Sequence, residues 1–496
     1  MLISYLENMI PKTKYVPAII LTLCLLAIAC QSKKKPVQYT VKDVMFKPES
    51  EVDSVAVQEY SLQLPENRSV DSSRTIPVKF LRFESRAENP ASPIVYLAGG
   101  PGGSGISAAK YRRWELFDRL LDVADVIILD QRGTGRSNTI PECVSSVKIP
   151  ENQATTKERY VRLHKEALNE CLDFWKQEEI NIRGYSSWES AADIDAVRRA
   201  LGVEKVSLLG ISYGTHLALA TLKRYPDHID RLVMASSEGL DQTVKLPSRT
   251  DAYLDRLQKA INEDSVARSY YPNVKSMIGK ALERAEEKPP VFDIPASDEH
   301  GALTYTMGKF EMQRITGYQF SDPDRAGSIL EGYLKSEEEN FNWFRVYKYY
   351  DSSPHTISFD GMPIAMELAS GISAERLEKV KTQAKTAVLG DATNFPMPHL
   401  SGSIPGIELG DWYREPVISD RPALFLSGTL DGRTYPEAMR EIAEGFSNSE
   451  IITIKNAGHN LFFSHPDLPD IISEFYSGEM PRNIQLESKL PDLRPD

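Results

Sequence analysis

Short apolar runs that alternate with helical segments dominate the pattern of hydrophobic and polar positions in this chain. Because strands that alternate with helices build parallel sheets, the pattern predicts an α/β fold with a central, mostly parallel sheet. Two segments of alternating polarity, 55–64 and 76–83, predict strands at the start of that sheet. The apolar runs that predict its other strands are 94–98, 125–129, 206–209, 229–234, 423–427 and 450–454.

One long stretch between the predicted strands departs from this alternation. From about residue 241 to 419, apolar positions recur mostly at helical spacing. An insertion of this size between core strands would fold as a cap over the strand ends, where substrate must enter. We therefore predict a core in two parts, 43–240 and 420–496, with a large, mainly helical cap at 241–419.

The first thirty residues have the pattern of an export signal. Lys12 and Lys14 precede an apolar run, 16–29, that is shorter than the roughly 20 residues needed to span a bilayer. Small residues before Cys30 resemble a bacterial lipobox, in which Cys30 would be lipidated and anchor the protein in the cell envelope. A simply cleaved signal peptide and an uncleaved anchor are the alternatives. The polar residues 31–42 predict a tether.

Composition limits the classes of partner and cofactor that the protein can have, and its cysteines bear on the redox environment. The 496 residues carry a net charge of −12, which argues against a nucleic-acid partner because such binding needs a concentrated positive surface. No cluster of cysteine and histidine has metal-ligand spacing, so we expect no metal. In an exported chain, Cys143 and Cys171 form an even pair that fits one disulfide, with two buried free thiols as the alternative.

The candidate chemistry begins at the strand 206–209, which leads into Gly210-Ile-Ser-Tyr-Gly214 and then a helical segment. This G-x-S-x-G pattern predicts a nucleophile elbow, with Ser212 exposed at the carboxyl edge of the sheet. The turn is so sharp that a Cβ at either glycine would collide with neighbouring backbone. Ser212 is therefore the predicted nucleophile.

A serine hydroxyl needs a base, and the base needs a carboxylate to orient it. His459 follows the last predicted strand and is the predicted base, with His465 as the runner-up. Asp431 follows the strand 423–427 and is the predicted acid, with Glu238 as the alternative. The chain order serine, aspartate, histidine is the order of α/β-hydrolases.

The glycine-rich loop 99–105 follows another apolar strand and offers backbone N–H groups without side chains in the way. It lacks the endings of a phosphate-binding or dinucleotide-binding loop, so we expect no cofactor. In an acyl-transfer enzyme these N–H groups would face the oxyanion. Pro101 has no N–H, which leaves Gly100 or Gly102. We predict Gly100, together with the N–H of Tyr213.

These motifs, in this order, resemble the prolyl and tripeptidyl aminopeptidase family of α/β-hydrolase serine peptidases. The resemblance implies an α/β-hydrolase fold and release of residues or short peptides from peptide N-termini through an acyl-enzyme on Ser212. The two cysteines also resemble the cysteine placement in the exported, tripeptidyl branch. The motifs are Gly99-Gly-Pro-Gly, Asp130-Gln-Arg-Gly-Thr-Gly-Arg-Ser, Gly210-Ile-Ser-Tyr-Gly-Thr, Gly428-Thr-Leu-Asp and Gly458-His.

An exopeptidase of this kind also needs acidic groups that pair with the α-ammonium of its peptide substrate. Glu238 is the residue we predict for this role, and Glu311 and Glu367 are candidates within the cap. The fold alone does not decide the substrate, so an esterase or other acyl hydrolase is the second hypothesis. A binding protein that retains the fold without catalysis is the third.

Overall fold

The structure is a computed structural model that describes residues 36–296, 301–336, 340–349 and 355–495. The described strands are β1 Gln38–Phe46, β2 Val55–Pro65, β3 Thr75–Phe83, β4 Ala91–Leu97, β5 Ala124–Asp130, β6 Cys143–Lys148, β7 Val206–Ile211, β8 Ile229–Ala235, β9 Val291–Ile294, β10 Leu303–Thr306, β11 Thr356–Phe359, β12 Ala423–Gly428, β13 Ser449–Lys455 and β14 Leu486–Glu487.

Helices fill most of the intervening sequence. The described helices are α1 Gly105–Tyr111, α2 Trp114–Leu120, α3 Lys157–Gln177, α4 Ser187–Ala200, α5 Tyr213–Arg224, α6 Pro247–Ile261, α7 Ser265–Tyr270, α8 Val274–Glu287, α9 Lys309–Gln319, α10 Pro323–Lys335, α11 Asn342–Tyr349, α12 Gly361–Ser370, α13 Ala374–Gln383, α14 Asp411–Arg414, α15 Pro436–Ala443 and α16 Leu468–Ser477.

A ten-stranded sheet organises the chain, in the order β1-β2-β3-β5-β4-β7-β8-β12-β13-β14. The β2–β3 and β3–β5 pairs are antiparallel, and every pair from β5–β4 to β13–β14 is parallel. Every residue of β7 and β12 is buried. Helices cover both faces of such central parallel strands, which is why their sequences are continuous apolar runs.

The expected α/β architecture with a mostly parallel sheet is therefore present, but the start of the fold differs from the prediction. The predicted tether, 31–42, ends earlier because β1 begins at Gln38 and joins β2 at the sheet edge. Six of the nine residues of β1 are exposed in succession, so the strand has the polar composition of a linker. Composition alone cannot separate a solvated edge strand from a tether.

The segment between β8 and β12 contributes no strand to the large sheet and is mostly helical. Its helix α12 packs directly against the glycine-rich loops of the sheet. A Cβ added to Gly102 would lie 2.9 Å from Pro363 Cγ, and a Cβ added to Gly133 would lie 2.9 Å from Met362 Cβ. This close approach brings the remainder of α12 to the carboxyl edge of the sheet.

A second link joins the inserted segment to the preceding sequence. β11 pairs antiparallel with β6, with Phe359 opposite Cys143. Cys143 forms a disulfide with Cys171 of α3, with a Cα–Cα distance of 5.5 Å. The structure thus contains the predicted disulfide, and the bond fixes β6 to α3 beneath β11.

The predicted signal segment, including the lipidation candidate Cys30, lies outside the described residues. Within the ranges that the structure does describe, no helix has both the length and the apolar character needed to cross a membrane.

Candidate active site

Ser212 occupies the sharp turn between β7 and α5. Its backbone has φ 55° and ψ −128°, in the region that disfavours residues other than glycine. A Cβ on Gly210 would lie 2.7 Å from the carbonyl oxygen of Gly214, and a Cβ on Gly214 would lie 2.0 Å from that of Leu97. Both glycines are therefore required, as the pattern predicts. The strained conformation is typical of a nucleophile elbow.

His459 and Asp431 lie in the loops that follow β13 and β12. His459 Nδ1 is 3.1 Å from Asp431 Oδ1 and 3.0 Å from Oδ2. Donation from Nδ1–H to the carboxylate leaves Nε2 as the ring nitrogen that can accept a proton. His459 and Ser212 line the same cavity. The structure thus brings together the three residues that the sequence singles out as nucleophile, base and acid.

The carboxylate of Asp431 is fully buried and has several hydrogen-bond donors. Oδ1 accepts from the N–H groups of Arg433 at 2.8 Å and Thr434 at 2.9 Å, and Oδ2 accepts from Thr434 Oγ1 at 2.7 Å. Burial alone would raise the pKa of Asp431, but His459 and the Thr434 donors hold this pKa below its ordinary value. An ionised carboxylate in this position can orient an imidazole and stabilise its protonated form.

Neighbouring residues hold the main chain of His459 in place. Its N–H donates to the carbonyl oxygen of Ser321 at 2.8 Å, and its own carbonyl oxygen accepts from Ser236 Oγ at 2.8 Å. Ser321 belongs to the inserted segment and Ser236 directly follows β8. The position of the imidazole therefore depends on both parts of the molecule.

Two other histidines, His216 and the runner-up His465, have different surroundings. His216 is buried in α5, where Nε2 lies 2.8 Å from the hydroxyl of Tyr413 and Nδ1 lies 3.1 Å from the carbonyl oxygen of Gly239. Burial lowers the pKa of His216, which favours a neutral, structural imidazole. His465 lies 3.8 Å from Asp467 near the start of α16. Asp431 is not among the hydrogen-bond or ion-pair partners of either ring.

The two predicted oxyanion donors belong to the residue that follows Ser212 and to the glycine-rich loop that lines its cavities. The N–H of Tyr213 belongs to the first turn of α5, where helix donors have no acceptor within the helix. Gly100, with φ +125°, lines both of the cavities that contain Ser212, whereas Gly102 lies against Pro363. A Cβ on Gly99 would lie 3.1 Å from Ser212 Cβ. The loop therefore approaches Ser212 without a side chain between them.

A carboxylate-containing cavity opens beside Ser212 on one side. Its free volume is about 80 Å³, and its wall includes Glu238, Lys245, Glu367 and Arg433. The ammonium of Lys245 forms an ion pair with Glu238. Burial alone would raise the pKa of Glu238, but Lys245 and His216 keep it below its ordinary value. Glu238 is thus ionised, and its charge is already compensated.

Glu367, on α12, differs from Glu238 both in its ion pairing and in the direction of its pKa shift. In the part of the chain that the structure describes, no lysine, arginine or histidine forms an ion pair with it. Burial, followed by the charge of Glu238, raises the pKa of Glu367 to about 7. Glu311 lies elsewhere, buried and bonded to the hydroxyl of Tyr305 at 2.7 Å. Of the three glutamates weighed from the sequence, two line this cavity and Glu311 does not.

Sequence reasoning missed two polar residues of this region, Thr434 and Lys245. Thr434 had a local signal, because an aspartate often accepts from the N–H groups two and three residues later. In Asp431-Gly-Arg-Thr434 those two donors and the threonine hydroxyl all reach the carboxylate. Lys245 had no such signal, since its contact with Glu238 arises from the course of the loop between β8 and α6.

Among the residues that the structure describes, no group of three or more histidine, cysteine, aspartate or glutamate side chains could hold a metal ion.

Comparisons with known proteins agree with this architecture. Residues 92–271 match the family model described as alpha/beta hydrolase fold. A tripeptidyl aminopeptidase of Streptomyces lividans is 31% identical over 153 residues, which cover 29% of this chain and 28% of that protein. The serine protease Hip1 of Mycobacterium tuberculosis is 29% identical over 162 residues, which cover 31% of each chain. The alignments thus span less than a third of these relatives.

Among solved structures, the proline iminopeptidase of Mycobacterium smegmatis aligns over 84% of this chain and 97% of that chain, with 14% identity and a TM-score of 0.37. The family match and the sheet establish the α/β-hydrolase fold. The chain is similar in sequence to the aminopeptidases and serine proteases that the motifs suggest, which supports a hydrolase.

Proposed function

Because the chain has the α/β-hydrolase fold, we propose that it is a serine hydrolase that releases residues or short peptides from peptide N-termini. One observation carries the proposal: Ser212, in its elbow, shares a cavity with Glu238 and Glu367. A nucleophile beside carboxylates suits a substrate whose positive charge lies close to the bond to be broken. The peptidase relatives support the same substrate class.

In this proposal, Ser212 Oγ attacks the scissile carbonyl carbon while His459 Nε2 takes its proton. Asp431 holds the imidazole in the required tautomer and stabilises the imidazolium. The N–H groups of Tyr213 and Gly100 stabilise the oxyanion of the tetrahedral intermediate. His459 then protonates the leaving amine, and water hydrolyses the acyl-enzyme with His459 again as the base.

Of the two carboxylates, we assign the principal contact with the substrate ammonium to Glu367. Glu238 already has an ammonium partner in Lys245, whereas Glu367 has no cationic side chain in ion-pair contact among the described residues. An incoming ammonium would favour the ionised form of Glu367 and lower its raised pKa. In this arrangement Glu238 and Lys245 line the pocket and orient the group.

The experiment that tests the proposed function is a substrate panel assayed on the wild type and on Ser212→Ala. We expect peptides with a free amino terminus to be cleaved, N-acetylated peptides to be poor substrates, and Ser212→Ala to lose activity by about 10⁴-fold or more. Equal cleavage of acetylated peptides would remove the amino-terminal requirement. A strong preference for carboxylic esters over every free-amino peptide would favour an esterase.

Labelling with a fluorophosphonate probe separates both enzymes from a binding protein that merely retains the fold. A reactive serine in the wild type, and no labelling in Ser212→Ala, is the expected result. An unlabelled but folded wild type would contradict any serine-hydrolase activity.

We also propose that the protein works in the bacterial cell envelope, anchored by a lipid on Cys30. The disulfide between Cys143 and Cys171 supports export, because disulfides persist in oxidising compartments. Metabolic labelling with a lipid precursor should mark the wild type and not Cys30→Ala. Wild-type protein that remains unlabelled and separates from membranes would contradict the anchor.

A further inference from the structure

A second cavity, with a volume of about 370 Å³, opens beside Ser212 and has a more positively charged lining than the first. Its wall carries four arginines and one carboxylate, that of Asp322. The arginines are Arg112, Arg113, Arg325 and Arg433. This concentration of positive charge stands out in a chain whose net charge is −12.

The guanidinium groups of these arginines form no ion pair with a carboxylate within the part of the chain that the structure describes, although the charge of Arg433 acts to lower the pKa of Glu238 and Glu367. Asp322 is used differently, since its Oδ1 accepts from the backbone N–H of Asn460 at 3.1 Å. Arg112 and Arg325 are exposed, so solvent can screen their charges. Arg113 has no such access to solvent.

Arg113 is only 6% exposed, and its single side-chain hydrogen bond joins Nη2 to Asn460 Oδ1 at 3.1 Å. Its Nε and Nη1 are buried and have no hydrogen-bond partner. The ring of Phe462, with its centroid 4.9 Å from the guanidinium carbon, offsets part of this cost. Burial, with a contribution from Arg112, lowers the pKa of Arg113. A buried cation with unused donors is expensive unless an anion completes it.

The two cavities meet at the nucleophile, because Gly100, Ser212 and Arg433 line both of them. Beside Ser212, the first cavity therefore presents the carboxylate of Glu367, and the second presents three arginines that the first does not contain. A peptide bound across Ser212 with its ammonium toward Glu367 would extend its leaving portion into the arginine-lined cavity. A carboxylate on that portion would supply the anionic partner that Arg112, Arg113 and Arg325 lack among the described residues.

We propose that the arginine-lined cavity binds a carboxylate on the leaving portion of the peptide, so that the enzyme prefers short peptides with a free C-terminal carboxylate. This inference rests on the proposed aminopeptidase function and specifies its substrate class. Arg325 and Arg112 reach the carboxylate from the solvent side, and Arg113 provides positive charge from the buried side. The preference would exclude long chains, whose terminal carboxylate lies far from the scissile bond.

The test compares alanine peptides of two to five residues in three forms: the free acid, the C-terminal amide, and the amide whose last residue is aspartate. For the preferred length, we expect kcat/KM of the acid to exceed that of the amide by about 10- to 100-fold, the range of a charge-assisted hydrogen bond. The aspartate amide shows whether the cavity requires the C-terminal carboxylate or also accepts a side-chain carboxylate. Only in the second case should it be cleaved as efficiently as the free acid.

The ratio of acid to amide is then measured in Arg113→Gln and in the double variant Arg112→Gln/Arg325→Gln. Both of the doubly substituted residues are exposed, so that variant tests the inference even if Arg113→Gln fails to fold. We expect the ratio to fall toward one in each folded variant and to remain unchanged in Arg440→Gln, an exposed arginine of α15 outside both cavities.

Equal cleavage of acid and amide by the wild type, or a ratio that survives both arginine variants, would overturn this inference and leave the aminopeptidase function intact. Failure to cleave any free-amino peptide would instead overturn the aminopeptidase function, and this inference with it.

Discussion

The loops at the carboxyl edge of the sheet and the segment between β8 and β12 contribute to the candidate site in different ways. The sheet loops hold Asp431, whose two oxygens accept three hydrogen bonds from Arg433 and Thr434 and lie in contact with His459. The inserted segment supplies Glu367 and Arg325, charged groups without an ion-pair partner in the described ranges. Asp431 and His459, which have hydrogen-bond partners within the protein, are thus held in position for catalysis.

Charged side chains that form no ion pair among the described residues are instead available to bind a ligand of opposite charge. Burial, followed by the charge of Glu238, raises the pKa of Glu367 despite the opposing charges of Lys245 and Arg433. Arg113 retains unused donors although it is buried. Both arrangements cost stability in the free protein, and a ligand of opposite charge would repay each of them. The comparison indicates that the sheet provides the reaction and that the inserted segment, together with Arg113, selects the substrate. The following variants test that division.

The largest effect is expected for Asp431→Asn, on the sheet side. The amide has nearly the shape of the carboxylate but cannot accept at both positions, so the imidazole loses its orienting anion. We expect kcat to fall by about 10³- to 10⁴-fold with little change in KM. Steady-state kinetics on a free-amino peptide measures both parameters, and circular dichroism checks the fold.

A matched control for that variant is Asp411→Asn, an exposed aspartate at the start of α14 that lines neither cavity. It should keep wild-type kinetics. If Asp431→Asn raised KM and left kcat unchanged, Asp431 would contribute to substrate binding and not to catalysis. That result would contradict the assignment of catalysis to the sheet loops and of substrate selection to the inserted segment.

An intermediate effect is expected for Glu367→Gln, on the cap side. Because the pKa of Glu367 is about 7, the wild type should lose affinity for free-amino peptides as pH falls from 8 to 6 and the carboxylate is protonated. The glutamine variant should show a KM raised by about 10- to 100-fold at pH 8. It should also lack this pH dependence, whereas Glu375→Gln, exposed on α13, should behave as the wild type.

The same substitution has a separate signature in stability. The folded-state pKa of Glu367 lies above its ordinary value of 4.5, so the folded protein retains this proton more strongly than the unfolded chain. Its contribution to the free energy of unfolding is therefore fully present below pH 4.5 and is lost as pH rises through about 7. Glu367→Gln should lack this decline, so the difference between wild-type and variant Tm should fall as pH rises toward 7. A pH-independent difference would contradict the raised pKa.

The division between the two regions also separates what the sequence could predict from what it could not. Ser212, Asp431 and His459 each directly follow an apolar strand, and parallel strands end at one edge, so local patterns suffice to bring them together. Glu367 was only one of several glutamates, because its place depends on the packing of Pro363 and Met362 against distant loops. The β6–β11 pair was missed for a similar reason, since its strands lie about 200 residues apart and half of the residues of β6 are polar.

Thr434 is the residue of the sheet side that the sequence analysis overlooked, and it carries the smallest predicted effect. Its Oγ1 donates to Asp431 Oδ2 at 2.7 Å and lies 3.5 Å from His459 Nδ1, so it positions the carboxylate without touching substrate. Thr434→Val keeps the shape and the backbone donors but removes the hydroxyl. We expect kcat to fall by about 3- to 10-fold, the value of one hydrogen bond.

A purely structural threonine would give the same small loss, so the pH profile decides its role. Without the hydroxyl, Oδ2 of Asp431 keeps more negative charge for the imidazole, and the lower apparent pKa of kcat/KM should rise by a few tenths. Thr434→Ser retains the donor and should restore both the rate and the profile. If the valine variant lost activity with an unchanged pH profile, Thr434 would act through packing. The hydrogen bonds that position the Asp431 carboxylate would then be only those with its two backbone donors and His459.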